Sequence, residues 1–282
     1  MLDKAPSIAT GELVIDLEDA VVADRKTEAL EAALNSLRTG GFSALKVAVR
    51  VNGRGTPWSD DELNALGAGP AVLTSLVIPK VESAEDLEAV DQLLTRVERG
   101  GGRSRPLGLQ ALIETAKGVR DLAAITSATD RLEAVVLGYV DLAASLARTP
   151  AGAGDLDLWL PIQQTFVTAA RAAGLRAIDG PHTAIDDERA LGAAARRAAD
   201  LGFDAKWAIH PKQLGTIDAA FAPSEAELDR ARAVLAALAG AEATGDGAVE
   251  LDGAMVDEPV RLAALRTLAR AGASEDTNRV AG

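Results

Sequence analysis

The stretch Leu13-Val-Ile-Asp-Leu-Glu-Asp-Ala-Val21 begins as a short apolar run and ends in three carboxylates, Asp16, Glu18 and Asp19. An apolar run bounded by polar residues reads as a parallel strand covered on both faces. Acidic side chains at the C-terminal end of such a strand lie where α/β folds place their chemistry. The plainer alternative is that Asp16 and Asp19 cap the helix that follows. The rest of the chain decides between these readings.

Working outward, the pattern of Leu13–Asp16 recurs. Strands are expected at Lys46–Val51, Ser75–Pro79, Leu107–Ile113, Ala134–Gly138, Leu175–Asp179 and Lys206–Ile209. Between them lie amphipathic helices such as Asp24–Arg38, with Ala29, Leu30, Ala33, Leu34 and Leu37 on one face. Ser59 and Ser83 read as helix N-caps. Gly100-Gly101-Gly102 reads as a flexible connection; it follows no strand and so is no phosphate loop. Strands alternating with helices every ~30 residues require βα units, in a (β/α)₈ barrel or a doubly wound sheet. No nucleotide-binding glycine fingerprint follows any strand, which weakens dinucleotide binding. An eighth strand is not found.

Composition narrows the function. With 282 residues the chain can bury a core as one large domain with an appendage. Aromatics are only 3%, so Leu, Val, Ile and Ala must fill that core. A net charge of −13 argues against nucleic acid or an anionic membrane as partner. The absence of cysteine removes disulfides, thiolate nucleophiles and Cys-type zinc sites. No apolar run is long enough to span a bilayer and the N-terminus lacks a signal peptide's core, so a cytoplasmic protein is expected.

The residues at or beyond the strand ends are Asp16 to Asp19, Arg50 and Asn52, Lys80, Glu114, Asp141, Asp179 with His182, and His210. In a barrel these converge on one face. Glu114 and Asp141, from separate strands, can hold a hard cation such as Mg²⁺ with water completing the shell; for either acid taken alone, a helix cap or a buried ion pair is the readier reading. Arg50 interrupts a strand made largely of valine and alanine, and its burial calls for an anion, whether a ligand or a structural partner such as Glu18 or Asp19. His182 and His210 are open between ligand and structural roles. Lys80 could form a Schiff base, but the helix start after it favours a supporting charge.

Taken together, these motifs resemble the citrate lyase β-subunit-like CoA-ester lyases of the HpcH/HpaI aldolase family. The matching stretches are Ile15–Val21, Val49–Asn52, Ile78–Ser83, Ile113–Ala116, Gly138–Leu142, Ala177–Pro181, Ile209–Gln213 and, near the end, Gly253–Pro259. The resemblance implies a (β/α)₈ TIM barrel over residues 1–222. It implies a C-terminal helical segment, 223–282, that packs on a neighbouring subunit in a homo-oligomer, a trimer or hexamer. It implies Mg²⁺, or Mn²⁺ in its place, on Glu114 and Asp141, and Arg50 on the carbonyl or carboxylate of the reacting centre. Asp257 would serve as acid/base in the adjacent protomer's site, while Glu18 and Asp19 organise the metal waters and Arg50. Lys26 and Lys80 are the residues left to meet CoA phosphates, with solvated surface lysines the equal alternative.

The implied reaction is cleavage or formation of a malyl-, citramalyl- or citryl-CoA-like β-hydroxyacyl thioester, giving an acyl-CoA and a 2-oxo acid. The competing readings are a thioesterase on the same substrates, a pyruvate-type class II aldolase, and a non-catalytic subunit of a larger lyase. Two departures from the family pattern stand out. Tyr139-Val140 precede Asp141 where acidic or small residues are usual. The family's opening strand, of the form Arg-Ser-x-Leu-Phe-x-Pro, is absent, so a barrel lacking its first strand through a late start codon or truncation is the expectation.

Overall fold

The computed structural model describes residues 2–101, 103–149 and 154–281. The Lys-Val-Ala-Val-Arg alternation of 46–50 shows how the sheet arises: Val47 and Val49 face the helices, while Ala48 faces the interior with Arg50 beside it. Seven strands repeat this logic: β1 (Glu12–Asp16), β2 (Lys46–Arg50), β3 (Leu73–Ile78), β4 (Gly108–Ile113), β5 (Leu132–Leu137), β6 (Arg176–Asp179) and β7 (Ala205–Lys206). They form one parallel sheet in sequence order, β1 through β7.

The sheet is curled. Strands sit about 4.8 Å apart, so β1 and β4 would be roughly 14 Å apart in a flat sheet. Yet Glu12 on β1 accepts a hydrogen bond from Gln110 on β4 at 2.8 Å. At the other end, the Arg50 guanidinium lies over the Trp207 ring, just beyond β7, at 6.0 Å. The interior is a core of small aliphatics, Ala48, Val77, Leu112, Ala134, Val136 and Ile178. The larger core lies between sheet and helices. The architecture is a curled seven-stranded parallel sheet of the TIM-barrel kind; among the described residues, β1 and β7 have no further strand on their outer edges.

The helices alternate with the strands as expected, with local differences. They are α1 (Lys26–Thr39), α2 (Ser59–Gly67), α3 (Ala84–Gly101), α4 (Ala116–Arg120), α5 (Leu122–Ile125), α6 (Tyr139–Ser145), α7 (Leu156–Ala172), α8 (Glu188–Leu201) and α9 (Leu214–Phe221). Ser59 is the first helical residue and not the cap: Trp58 holds the cap position and the Ser59 hydroxyl is buried without a partner. The expected flexible glycine link is helical through Gly101, and Gly102 lies outside the described residues. The strand expected at Lys206–Ile209 is shorter, Ala205–Lys206, because the backbone beyond is tied locally, with Ile209 N–H on Gln213 Oε1.

Beyond Pro223, α10 (Glu225–Thr244), the hairpin β8 (Val249–Leu251) with β9 (Ala254–Val256), and α11 (Glu258–Ala281) follow. Ser224 opens α10 with a reciprocal capping box to Glu227. Ala231, Val234, Leu238, Val256 and Ala264 form a small core within this unit, separate from the barrel's. No helix among the described residues is long and apolar enough to cross a membrane.

Candidate active site

Arg50 is placed by strand register. Asp16 and Arg50 are opposite residues of the β1–β2 pair. Asp16 grips the guanidinium with both oxygens, Nε to Oδ1 at 2.8 Å and Nη2 to Oδ2 at 2.6 Å. The same carboxylate accepts the backbone N–H groups of Glu18 and Ala20, which folds the strand end into a turn. Burial works to raise the Asp16 carboxyl, but Arg50 outweighs it and holds the group below its ordinary value. Burial likewise opposes the Arg50 charge, and Asp16 and Glu18 more than restore it. Arg50 Nη1 lies 2.9 Å from Glu18 Oε2 and 3.7 Å from Asp19. The Glu18 contact is off the hydrogen-bond axis, so that oxygen is buried with a charge beside it and no hydrogen bond.

The β1–α1 turn is clamped from below. Lys26 donates to the carbonyls of Leu17 at 2.8 Å and Glu18 at 2.6 Å and is only 6% exposed, with its ammonium 5.5 Å from the Trp58 ring centre. Asn52 donates to the same Leu17 carbonyl, and both its backbone and side-chain N–H groups reach the buried Glu62 carboxylate. A lysine at a helix N-terminus runs against the helix dipole; here the two carbonyls account for it.

Glu114 and Asp141 follow β4 and β5. Ile113 faces the helices, so Glu114 turns inward, and it is 3% exposed. Its Oε1 accepts the backbone N–H of Lys80 at 2.9 Å. Burial first, then the charges of Glu18 and Asp141, push the Glu114 carboxyl up to about 8. Gly138 makes room for it: a Cβ there would stand 2.6 Å from Glu114 Cβ and 2.9 Å from its Oε2. Asp141 sits in the first turn of α6. Lys80 completes the group, with Nζ 2.6 Å from Glu18 Oε1 and 3.9 Å from Asp141 Oδ2. Its backbone is left-handed at φ +52°, a conformation that costs a non-glycine residue about 1–3 kcal/mol. Burial lowers the Lys80 ammonium, but Glu18 raises it by more, so it is held charged and unsuited to Schiff-base chemistry.

Arg50, Glu18, Asp19, Lys80, Glu114 and Asp141 thus form one charge network at the strand ends. Neither Lys26 nor Lys80 presents a free ammonium for a phosphate, since carbonyls hold one and carboxylates the other. Asp257 is not in the network; it lies between β9 and α11, in the C-terminal unit. Asp179, expected at the mouth, faces the other way. Ile178 points into the interior, so Asp179 turns toward the helix layer. There it pairs with Lys206 at 2.6 Å and accepts the Tyr139 hydroxyl, which also accepts Gln163 Nε2 at 2.7 Å. The Nδ1 of His210 accepts the Lys212 N–H, and His182 Nε2 is buried without a partner.

The donor set fits magnesium. Two oxygen-only carboxylates from separate strand ends, with an extra buried carboxylate oxygen on Glu18 lacking a hydrogen bond, suit a hard dication. Among the described residues no three His, Asp or Glu side chains are grouped closely enough to hold a metal ion by themselves. Sequence reasoning passed over the Asp16–Arg50 fork as a site element and missed the Trp207 ring over Arg50. The facing positions of two adjacent strands carried the signal for the fork.

The profile of the HpcH/HpaI aldolase/citrate lyase family matches residues 1–211. An L-malyl-CoA/beta-methylmalyl-CoA lyase of Cereibacter sphaeroides is 35% identical over 273 residues, covering 91% of this chain and 86% of the relative. A (3S)-malyl-CoA thioesterase of the same organism is 38% identical over 275 residues, covering 96% and 90%. The structure of CitE from Mycobacterium tuberculosis with magnesium, acetoacetate and coenzyme A is 32% identical at a TM-score of 0.76, covering 96% of this chain and 95% of that one. A citrate lyase structure from Burkholderia xenovorans, at 20% identity and a TM-score of 0.83 with 95% and 87% covered, supports the fold alone. The chain belongs to the HpcH/HpaI aldolase/citrate lyase family, among its CoA-ester lyases.

Proposed function

We propose that this chain is a magnesium-dependent lyase that splits a malyl-CoA-like β-hydroxyacyl thioester into a shorter acyl-CoA and a 2-oxo acid. The observation that carries this reading is the single network joining Arg50, through Glu18 and Lys80, to Glu114 and Asp141. The likeness to a malyl-CoA lyase over 91% of the chain supports the substrate class.

Glu114 and Asp141 would hold Mg²⁺, which when bound polarises the hydroxy-acid oxygens and retains the 2-oxo acid. Arg50 aims its remaining N–H donors at the thioester oxygen, where enolate charge develops as the carbon–carbon bond breaks. Asp16 fixes the guanidinium plane so that this donor needs no reorganisation. The hydroxyl proton leaves to water as the carbon–carbon bond breaks, and Asp257 of a neighbouring copy delivers a proton to the acyl carbon. On this reading the C-terminal unit, which has its own core and carries Asp257, serves an adjacent subunit of a homo-oligomer.

A second reading is a thioesterase, favoured by the 38% identity to a (3S)-malyl-CoA thioesterase. Product analysis from malyl- and citramalyl-CoA, with magnesium and with chelator, separates the two. A shorter acyl-CoA plus a 2-oxo acid, lost on chelation, supports the lyase. Free coenzyme A with intact hydroxy acid rejects it for the thioesterase.

A further inference from the structure

Lys80 meets three carboxylates at once. Its backbone N–H binds Glu114 at 2.9 Å, its ammonium binds Glu18 at 2.6 Å, and the same ammonium stands 3.9 Å from Asp141. A left-handed backbone, rare for a residue with a side chain, places the main chain and side chain in one cluster. The next residue is locked: Val81 is buried and its N–H is bonded to the Leu112 carbonyl. The side chain is not locked in the same way. It is 46% exposed, so its flexible stem has an open path to solvent.

We propose that Lys80 is a tethered counter-cation of the acid cluster. Its ammonium balances Glu18 and Asp141 before a divalent ion binds and swings outward when one arrives, and this exchange sets the strength of ion binding. The inference rests on Glu114 and Asp141 being the magnesium ligands. A monovalent charge within ion-pair range of Asp141 both repels an incoming dication and competes for its ligand. Meanwhile the backbone N–H of the same residue keeps Glu114 oriented, and that role survives replacement of the side chain by Met, Gln or Arg. Lys80 is therefore a positioning residue whose two halves act in opposite senses on the ion.

The test is calorimetric titration of Mg²⁺ into the metal-stripped full chain, its Lys80→Met and Lys80→Arg variants, and a Glu114→Gln control. Lys80→Met should bind magnesium roughly ten-fold more tightly than the unmodified chain, and Lys80→Arg within about three-fold of it. Metal-free Lys80→Met should melt lower than the parent and gain more from added magnesium. Lys80→Gln substitutes for Lys80→Met if the latter fails to fold. Binding by the uncharged variant that is equal to or weaker than the parent's overturns the proposal. If the parent binds no magnesium, or Glu114→Gln binds as well as the parent, the assignment of the ligands has failed and the proposal falls with it.

Discussion

Replacing Lys206 with methionine keeps the apolar stem and deletes a buried charge. The Lys206 and Asp179 side chains are only 3% and 2% exposed, and the ammonium lies 2.6 Å from both Asp179 Oδ2 and the Gly180 carbonyl. The substitution strands a carboxylate whose other support is the Tyr139 hydroxyl. The chain beside the pair is closely packed, since a Cβ on Gly180 would stand 2.1 Å from the Leu137 carbonyl oxygen and 2.7 Å from the Tyr139 ring. Removing one member of such a pair costs about 3–5 kcal/mol. For a chain of this size that corresponds to a melting-point loss of roughly 6–20 °C. Calorimetric or circular-dichroism melts of Lys206→Met, Asp179→Asn and the double variant measure it. The double variant should melt above Lys206→Met, because the stranded charge is gone. A Lys206→Met melt within about 2 °C of the parent would refute the argument that the substitution strands a buried carboxylate.

Asp16→Asn removes the charge that fixes Arg50 and forfeits roughly 2–3 kcal/mol of charge-assisted hydrogen bonding. If that is felt in the transition state, kcat/KM falls about 30- to 150-fold, mainly through kcat, as steady-state kinetics will show. In metal-stripped protein the Glu114 carboxyl lies near 8, above its unfolded 4.5. Its contribution to stability is therefore complete below the unfolded value and lost as pH rises through the folded one, by of order 5 kcal/mol. Melts between these limits should fall with pH in the parent and flatten in Glu114→Gln. Arg50→Ala and Asp257→Ala should each be inactive, while refolded mixtures should recover about a quarter of parental activity by random assortment of subunits. Inactive mixtures would place Asp257 outside the neighbour's site.

The strands were legible because each is a short apolar run with polar ends, and all seven lie within a few residues of expectation. Residues at the ends of β1, β2, β4 and β5 were legible for the same reason. Facing was harder: Asp179 and Glu114 both follow apolar strands, yet one turns to the helices and the other inward, according to the parity of the residue before it. Of the long-range partners, only Glu18 and Asp19 beside Arg50 were legible, as the acids nearest a strand arginine. Tyr139 meets Asp179 from 40 residues away, and Lys26 spends its charge on carbonyls that any residue could supply. Lys80's backbone conformation had no sequence signature, since its side chain is not one that favours left-handed geometry.

The facing of Asp16 against Arg50 has a consequence for how the chain settles on its fold. A one-residue slip of β1 against β2 would turn the side chains of β1 to the opposite face, pushing Asp16 among the helices and Ile15 into the interior. The fork then breaks together with the apolar alternation, so the groups that would bind substrate also check the pairing of the first two strands. Disarming Arg50 therefore removes a reporter of correct alignment along with the group proposed to act on substrate, and such a variant should refold less faithfully than its lost activity alone would suggest.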